Sequence, residues 1–248
     1  MANITVDGGH GGRDPGGCGN GLKEKDITLY LSRRVASKLK NDYQDANVLL
    51  TRTGDETVSL EQRKNKSDAW KADLLVSIHV NAGGGTGFES FVLPGAYAST
   101  RNKQAIIHDT IMAYLKGYGK RDRGRKTANF YILKYPKASA ILIECLFVDY
   151  ASDAALLKQT SFLNGLADVI AKGIAKAMKL KTKPKPAPAP AGQLPKVAKR
   201  IAVRVNGKPV DAIGYLINNT TYLQGSYVTE LLGGSVTGHG DYINIKTK

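Results

Sequence analysis

The chain has few of the residues that mark several classes of protein. Its 248 residues include only two cysteines, Cys18 and Cys145, and one tryptophan. Two cysteines cannot build the disulfide framework of a small secreted domain, so we expect free thiols. Cys145 lies within the apolar run AILIECLFV, where a small buried hydrophobic side chain is expected.

Long apolar runs are also missing. No stretch approaches the roughly 18 to 20 residues that a membrane-spanning helix needs, so no transmembrane segment is expected. The first ten residues, MANITVDGGH, contain neither the basic nor the apolar part of a secretory signal. We therefore expect a protein made in the cytoplasm without a signal peptide.

Acidic residues are much scarcer than basic ones, and the formal net charge is +15. The excess is densest over residues 181–200, which hold six basic and no acidic side chains. A nucleic-acid reader more often shows a recognition helix or aromatic residues interleaved with basic ones. Neither is present, so we expect no nucleic-acid partner. Anionic polymers or acidic phospholipids suit such a diffuse positive field at least as well.

Five prolines within KLKTKPKPAPAPAGQLPK (179–196) mark one boundary. Such a segment favours an extended polyproline-II spacer and excludes a helix or a central strand. We therefore predict a domain at 1–180, a Pro/Lys/Ala-rich linker at 181–196 and a small module at 197–248.

Strand and helix patterns alternate in the first domain. Apolar runs rich in Val, Ile and Leu predict strands at 3–8, 46–52, 73–82, 87–93, 131–135 and 139–148. Apolar residues at helical spacing predict helices at 26–41, 59–71, 99–117 and 162–178. This alternation is typical of an α/β fold with a largely parallel sheet.

The second module has a different pattern. Asn206-Gly207 lies between two short alternating runs and predicts a β-hairpin. The segment YLINNTTYL predicts a second turn between strands, and SYVTELLGG predicts a short helix between Ser226 and Gly233. We therefore expect a small α+β module.

Two histidines and one glutamate stand out as candidate metal ligands. His10 lies in the glycine-rich loop after the first strand, His79 near the end of the 73–82 strand, and Glu24 before the first helix. Two His and one Glu with an open position for water form a recognised catalytic zinc set. Taken singly, His79 is more often a satisfied core histidine, and Glu24 resembles an ordinary helix-start carboxylate.

Glu144 lies within an otherwise apolar strand. A lone buried carboxylate is costly, so this one needs either a partner or a function. The alternative is a structural ion pair with a basic neighbour. Because ligands bind beyond the carboxyl ends of parallel strands, we expect His10, His79 and Glu144 to converge at one sheet edge.

Five ordered blocks resemble one known family: VDGGHGGRDPGG, LKEKDITL, LLTRTGD with SLEQR, LLVSIHVNA and ILIECLFV. Over residues 3–178 the chain is similar to the zinc-dependent N-acetylmuramoyl-L-alanine amidases called Amidase_3, which include bacterial autolysins and phage endolysins. The resemblance implies His10, Glu24 and His79 as Zn²⁺ ligands and Glu144 as the catalytic carboxylate. It also implies a twisted mixed sheet of about six strands with helices on both faces.

The chain departs from the family pattern at a few positions. Gly8 stands where the family usually has proline, Cys145 and Leu146 replace small residues, and Asp149-Tyr150 replaces Ser-Asn. None of these changes removes a group that the chemistry requires. His108 and His239 match no block, and we interpret His108 as a helix-surface residue.

The resemblance predicts a peptidoglycan hydrolase that cleaves the amide between N-acetylmuramic acid and L-alanine by zinc-activated water. The alternatives are a zinc peptidase acting within the stem peptide and a non-catalytic wall-binding protein. The last 50 or so residues resemble the small module at the N-terminus of some copper amine oxidases, which suggests wall targeting or self-association. Anionic wall polymers are then expected partners of the linker and module, and the expected setting is a host cytoplasm from which an endolysin or autolysin is released to the wall.

Overall fold

The computed structural model describes residues 1–184 in full. Beyond them it describes the backbone of 199–205, 208–217, 220–223, 235–239 and 242–246. The chain divides into two compact units, Met1–Pro184 and Lys185–Lys248. Among the described helices, none combines the length and the apolar content that a bilayer crossing requires.

The first unit alternates strands and helices along most of its length. Its strands are β1 (Ala2–Gly8), β2 (Cys18–Gly19), β3 (Leu22–Lys23), β4 (Ala46–Leu50), β5 (Leu74–Asn81), β6 (Phe88–Val92), β7 (Asp122–Thr127) and β8 (Ser139–Phe147). Its helices are α1 (Glu24–Asp42), α2 (Leu60–Ala69), α3 (Ala98–Leu115), α4 (Tyr131–Lys134), α5 (Ala151–Leu157) and α6 (Thr160–Ala177).

Six of these strands form one sheet in the order β4-β1-β5-β8-β6-β7. All neighbours run parallel except β6 and β8, which run antiparallel. The predicted six-stranded, largely parallel mixed sheet is therefore confirmed. The carboxyl ends of β1, β5 and β8 meet at one edge, which brings together the residues that follow these strands.

Helices cover both faces of the sheet, as predicted. Alternate residues of β5 point to opposite faces, so Val76 and Ile78 enter the larger core while Leu75 enters a smaller one. The larger core lies against α1, α3 and α6, and the smaller one contains Ile132 and Leu133 of α4. The free thiol of Cys145 is buried in the larger core, as predicted.

The structure differs from the sequence prediction at several elements. Residues 131–135 were predicted as a strand, but Tyr131–Lys134 form the short helix α4. A five-residue apolar run fits either structure, and here the helix covers the sheet face. The strand β7 was missed because DRGRKT has no apolar residue; it is an edge strand that pairs only with β6. Helix α5 was missed as well.

The last residues of the first unit pair with the end of α1. The amide of Gln44 donates to the Lys181 carbonyl at 3.0 Å, and the amide of Lys183 donates to the Asp42 carbonyl at 2.7 Å. The chain thus stays paired with the first unit as far as Lys183, directly before the first of the five prolines.

The second unit contains a five-stranded sheet. Its strands are β9 (Lys199–Val205), β10 (Lys208–Ile217), β11 (Thr220–Leu223), β12 (Ser235–His239) and β13 (Tyr242–Lys246), in the order β11-β10-β9-β13-β12. Antiparallel β9 and β10 flank 206–207, and antiparallel β10 and β11 flank 218–219, which agrees with the two predicted turns. The predicted helix at 226–233, the turn residues and most of the predicted linker lie outside the described residues.

Candidate metal centre

The three predicted metal ligands lie together at the carboxyl edge of the sheet. His10 follows β1, Glu24 is the first residue of α1, and His79 lies near the end of β5. One ligand atom from each residue lies within 4.8 Å of the others. The two imidazole rings meet edge to face with their centroids 5.0 Å apart.

The Glu24 carboxylate is buried and held from four directions. It accepts hydrogen bonds from the backbone amides of Gly17 at 2.8 Å and Val80 at 3.0 Å. It also lies 2.9 Å from His79 Nδ1 and 3.1 Å from His10 Nε2. Burial by itself raises the pKa of Glu24, but the contacts with both histidines outweigh it and hold the pKa well below its ordinary value. The group is therefore a carboxylate at neutral pH.

His10 is oriented by its own loop. Its backbone has a positive φ of 58°, and its Nδ1 lies 2.8 Å from Asp14 Oδ2. Such a carboxylate partner typically fixes the ring orientation of a metal-binding histidine. The hydrogen bond with Glu24 raises the pKa of His10 to about 9, against burial and with help from Asp14.

Glycines in the loop permit the close approach of the ligands. A Cβ on Gly9 would lie 2.3 Å from His79 Cε1, and one on Gly16 would lie 2.5 Å from Glu24 Oε2. Any larger residue at either position would displace His79 or Glu24. Two imidazoles and a carboxylate in this cradle form the donor set of catalytic zinc sites, so the residues present fit a zinc ion.

Glu144 lies next to this cluster on β8. It is in register with His79 on the neighbouring parallel strand, so both side chains project from the same face of the sheet. Its Oε2 is buried and has no hydrogen-bond partner among the residues that the structure describes. Burial raises the pKa of Glu144 to about 7. A carboxylate with a free oxygen and this pKa is suited to accepting and returning a proton.

A register shift interrupts the pairing of β8 with β5 directly after Glu144. Three residue steps on β8 match two on β5 between the pairs His79–Glu144 and Asn81–Phe147. Leu146 takes up the extra residue with a φ of 71°, a value that is strained for leucine. Bulges of this kind re-aim side chains near functional sites.

The sequence analysis missed Glu89, which lies directly opposite Glu144 on antiparallel β6. Both of its oxygens are occupied: Oε1 accepts from Asn81 Nδ2 at 2.7 Å, and Oε2 is bonded to Arg123 and Lys126. Burial by itself raises the pKa of Glu89, but the two cations outweigh it and lower the pKa. The two facing carboxylates therefore differ, because one is saturated and charged while the other keeps a free oxygen.

Two buried arginines hold the loop that carries His10. Arg52 donates to the carbonyls of Gly8 at 2.8 Å and Gly9 at 3.0 Å. Arg63 donates to the His10 carbonyl at 2.6 Å and pairs with buried Asp7 at 2.6 Å. The blocks LLTRTGD and SLEQR contain these arginines, but the sequence alone assigned them no role.

His108 is not the helix-surface residue that the sequence predicted. It is only 2% exposed, and its Nδ1 lies 2.9 Å from Ser90 Oγ and its Nε2 3.0 Å from Asp122 Oδ1. The prediction was wrong because α3 turns this side against β6 and β7. His108 links the helix to the edge of the sheet and takes no part in the metal cluster. His239 ends β12, in the second unit.

Comparisons with known proteins show the family of the chain. Residues 4–176 match the family model described as N-acetylmuramoyl-L-alanine amidase. The amidase CwlM of Bacillus licheniformis is 47% identical over 180 residues, which are 73% of this chain and 70% of CwlM. The endolysin of Bacillus phage SPP1 is 37% identical, and the match covers 99% of this chain and 98% of the endolysin.

Solved structures share the fold of the first unit. The crystal structure of N-acetylmuramoyl-L-alanine amidase from Clostridium difficile 630 has a TM-score of 0.68 and 32% identity, covering 72% of this chain and 97% of the other. The catalytic domain of the amidase CwlV from Bacillus (Paenibacillus) polymyxa var. colistinus has a TM-score of 0.67 and 29% identity, covering 73% of this chain and 100% of the other. The chain therefore belongs to the N-acetylmuramoyl-L-alanine amidase family and is a peptidoglycan-cleaving amide hydrolase.

Proposed function

We propose that the chain hydrolyses the amide between the lactyl group of N-acetylmuramic acid and L-alanine with a Zn²⁺ ion held by His10, Glu24 and His79. The observation that carries this proposal is the convergence of these three side chains beside a fourth, Glu144, whose Oε2 has no described partner. When bound, zinc polarises a carbonyl and lowers the pKa of a water molecule to about 7.

The side chains of the protein have separate roles in this proposal. Asp14 orients the His10 ring, and the backbone amides of Gly17 and Val80 fix the Glu24 carboxylate. Glu144 accepts a proton at its free oxygen from the attacking water as the carbon–oxygen bond forms. The carbon–nitrogen bond then breaks, and Glu144 returns the proton to the departing amine of L-alanine. The products are a lactyl carboxylate and a free stem peptide.

The environment of Glu144 supports this sequence of proton transfers. An acid–base group works best when its pKa lies near the working pH. Burial brings the pKa of Glu144 to about 7, whereas the pKa of saturated Glu89 opposite to it is lowered. The proposal therefore assigns the moving proton to Glu144.

The bond that is cleaved tests the proposal. Purified walls digested by the full-length protein should show new L-alanine amino termini by mass spectrometry. Shortened stem peptides with intact lactyl–alanine bonds would favour the zinc peptidase alternative. Lysis by the Glu144→Gln variant should fall by at least about 10³-fold, with zinc content unchanged. His10→Ala should lose the metal itself, and Asp109→Asn, an exposed carboxylate on α3, should change neither property.

The biological role is proposed from the layout of the chain. Residues 1–180 would be the catalytic domain, 181–196 a basic linker and 197–248 a wall-targeting or self-associating module. The similarity to the phage SPP1 endolysin along nearly the whole chain supports action at the cell wall as an endolysin. Because the linker is basic, we expect it to bind anionic wall polymers.

Binding to isolated walls tests this layout. The full-length Glu144→Gln protein should sediment with walls without digesting them. Removal of anionic polymers from the walls, or about 0.5 M salt, should release a substantial part of the bound protein. Equal binding to stripped and intact walls would contradict the proposed binding of anionic polymers.

A further inference from the structure

Two basic residues of the edge strand β7 lie on the same side of the sheet as Glu144. A regular strand would place Arg123 and Arg125 on one side. The pairing of β6 with β7 shifts register between Phe88 and Ser90, and Gly124 has a φ of 90° at this point. As a result the side chains of Arg123 and Lys126 both contact Glu89, and the side chain of Arg125 lies on the opposite face of the sheet.

The surroundings of Arg125 differ from those of Arg123. Arg125 lines an open groove of about 590 Å³ together with Arg101 and Gln104 of α3. Lys126 also borders this groove, where its backbone carbonyl accepts a hydrogen bond from Gln104, but its ammonium group contacts Glu89 on the other face. This groove lies on the face of the sheet that carries α3, opposite to the face of Glu89 and Glu144. The bulge therefore divides neighbouring cations of one strand between two faces.

The Arg123 guanidinium is held by one nitrogen and by its flat face. Its Nε lies 3.0 Å from Glu89 Oε2, and its Cζ lies 4.8 Å from the centre of the Phe147 ring. Gly85 makes room for this packing, since a Cβ there would lie 2.6 Å from Phe147 and 3.0 Å from Arg123 Nη1. Among the described residues, Nη1 and Nη2 have no hydrogen-bond partner. A guanidinium fixed in this way presents two parallel donors, the geometry that binds a carboxylate bidentately.

The local charges do not cancel. One buried carboxylate, Glu89, faces two cations, Arg123 and Lys126, so the group carries one net positive charge. The cationic side chains are 27% and 39% accessible, whereas the carboxylate is 4% accessible. The positive charge therefore faces solvent, and its counter-charge is hidden beneath it.

We propose that Arg123 and Lys126, positioned by Glu89, bind the free α-carboxylate of the second stem-peptide residue, a γ-linked D-glutamate. This inference rests on the proposed function, because it places the departing peptide on the β6–β7 side of Glu144. Glu89 and Glu144 face each other across antiparallel strands, which are about 5 Å apart. One residue of extended chain spans about 3.5 Å, so a carboxylate one residue beyond the cleaved bond falls within reach of the Arg123 side chain.

Two soluble substrates that differ at one group test the subsite. They are disaccharide tetrapeptides with either D-glutamate or its α-amide, D-isoglutamine, at the second position. The full-length, zinc-loaded protein should have a lower KM for the carboxylate substrate. Arg123→Gln should raise that KM about 10- to 100-fold, the loss expected for a charge-assisted pair of hydrogen bonds, with kcat changed less than threefold. Its KM for the amide substrate should hardly change.

The matched control is Arg125→Gln, which removes the same charge from the same strand on the opposite face. Its KM values should stay within twofold of the wild-type values. A similar rise of KM for both substrates in Arg123→Gln, or the same effect in Arg125→Gln, would overturn the subsite. If Arg123→Gln does not fold, wild-type binding of free L-Ala-γ-D-Glu and L-Ala-D-isoglutamine decides the matter, and equal affinities overturn it.

The outcomes also separate this inference from the proposed function. Cleavage of both substrates at the lactyl–alanine bond with equal KM values would overturn the subsite alone. Cleavage of neither substrate at that bond would overturn the proposed function, and the subsite with it. Arg123→Lys keeps the positive charge but loses the two parallel N–H donors of the guanidinium. We therefore expect its KM for the carboxylate substrate to lie between those of the wild type and Arg123→Gln.

Discussion

Replacing Glu144 with glutamine should stabilise the metal-free protein at alkaline pH. The side chain is largely buried, and its Oε2 has no described partner. Burial raises its pKa from the ordinary value of 4.5 to about 7. Because the charged form is disfavoured in the folded protein, this group lowers the free energy of unfolding at every pH at which the unfolded chain ionises it.

The size of the effect follows from the two pKa values. Below about pH 4.5 the carboxyl is protonated in both the folded and the unfolded chain, so it has no effect on stability. Between the two values the unfolded chain loses its proton first, and the penalty on folding grows with pH. Above about pH 7 the penalty is constant at about 3 kcal/mol, because each pKa unit corresponds to about 1.4 kcal/mol. Glutamine has nearly the same shape and avoids this penalty.

Urea unfolding of chelator-treated protein at pH 4.5 and pH 8.5 measures the effect. The free energy of unfolding of Glu144→Gln should exceed that of the wild type by about 3 kcal/mol at pH 8.5 and by less than about 1 kcal/mol at pH 4.5. Asp109→Asn, at an exposed site, should change it by less than about 0.5 kcal/mol at both values. An equal difference at both pH values, or a less stable variant at pH 8.5, would refute the reasoning.

Three further predictions follow from the same contacts. Arg63→Ala should lower the free energy of unfolding at pH 7 by about 3 to 5 kcal/mol, because it leaves the charge of Asp7 buried without its partner; a loss below about 1 kcal/mol in urea unfolding would contradict this. Gly124→Ala should lower the free energy of unfolding by about 1 to 3 kcal/mol, because alanine is strained at a φ of 90° even though a Cβ there meets nothing within 4 Å. Gly117 has equally open surroundings but no such φ, so Gly117→Ala should lower it by less than about 1 kcal/mol. Chelation by EDTA should abolish wall lysis in a turbidity assay, and one equivalent of zinc should restore it; unchanged lysis would rule out the metal.

Much of the site could be predicted from the sequence for a simple physical reason. Apolar runs identify parallel strands, and the carboxyl ends of such strands share one edge. His10, His79 and Glu144 could therefore be expected to meet, although they are far apart along the chain. The glycine-rich loop could also be recognised, because only glycine tolerates the close approach of the candidate ligands.

Glu89 could not be identified in the same way. In GFESFVL it occupies a position that an ordinary half-exposed strand fills with a polar residue. Its burial depends on Arg123 and Lys126, which lie 34 and 37 residues further along the chain. No local pattern contains that information.

The error at His108 has a related cause. The helical spacing of Ile106, Ile107, Ile111 and Leu115 indicated an apolar face that excluded the histidine. In the structure Ile106 is 38% exposed and His108 is buried, because contacts with β6 and β7 set the rotation of α3. Hydrophobic spacing predicts a helix more reliably than it predicts which residue at the border of its face is covered.

The sequence by itself determined most of the strands and helices, the glycine loop and the identity of the candidate ligands, because these depend on local periodicity and on side-chain chemistry. Only the tertiary structure decided which charges lie on the same face of the sheet as Glu144. The bulge at Gly124 turns Arg123 and Lys126 to one face and Arg125 to the other, and this bulge arises from the pairing of β7 with β6. Strand register is a property of two segments together, so neither segment alone contains it.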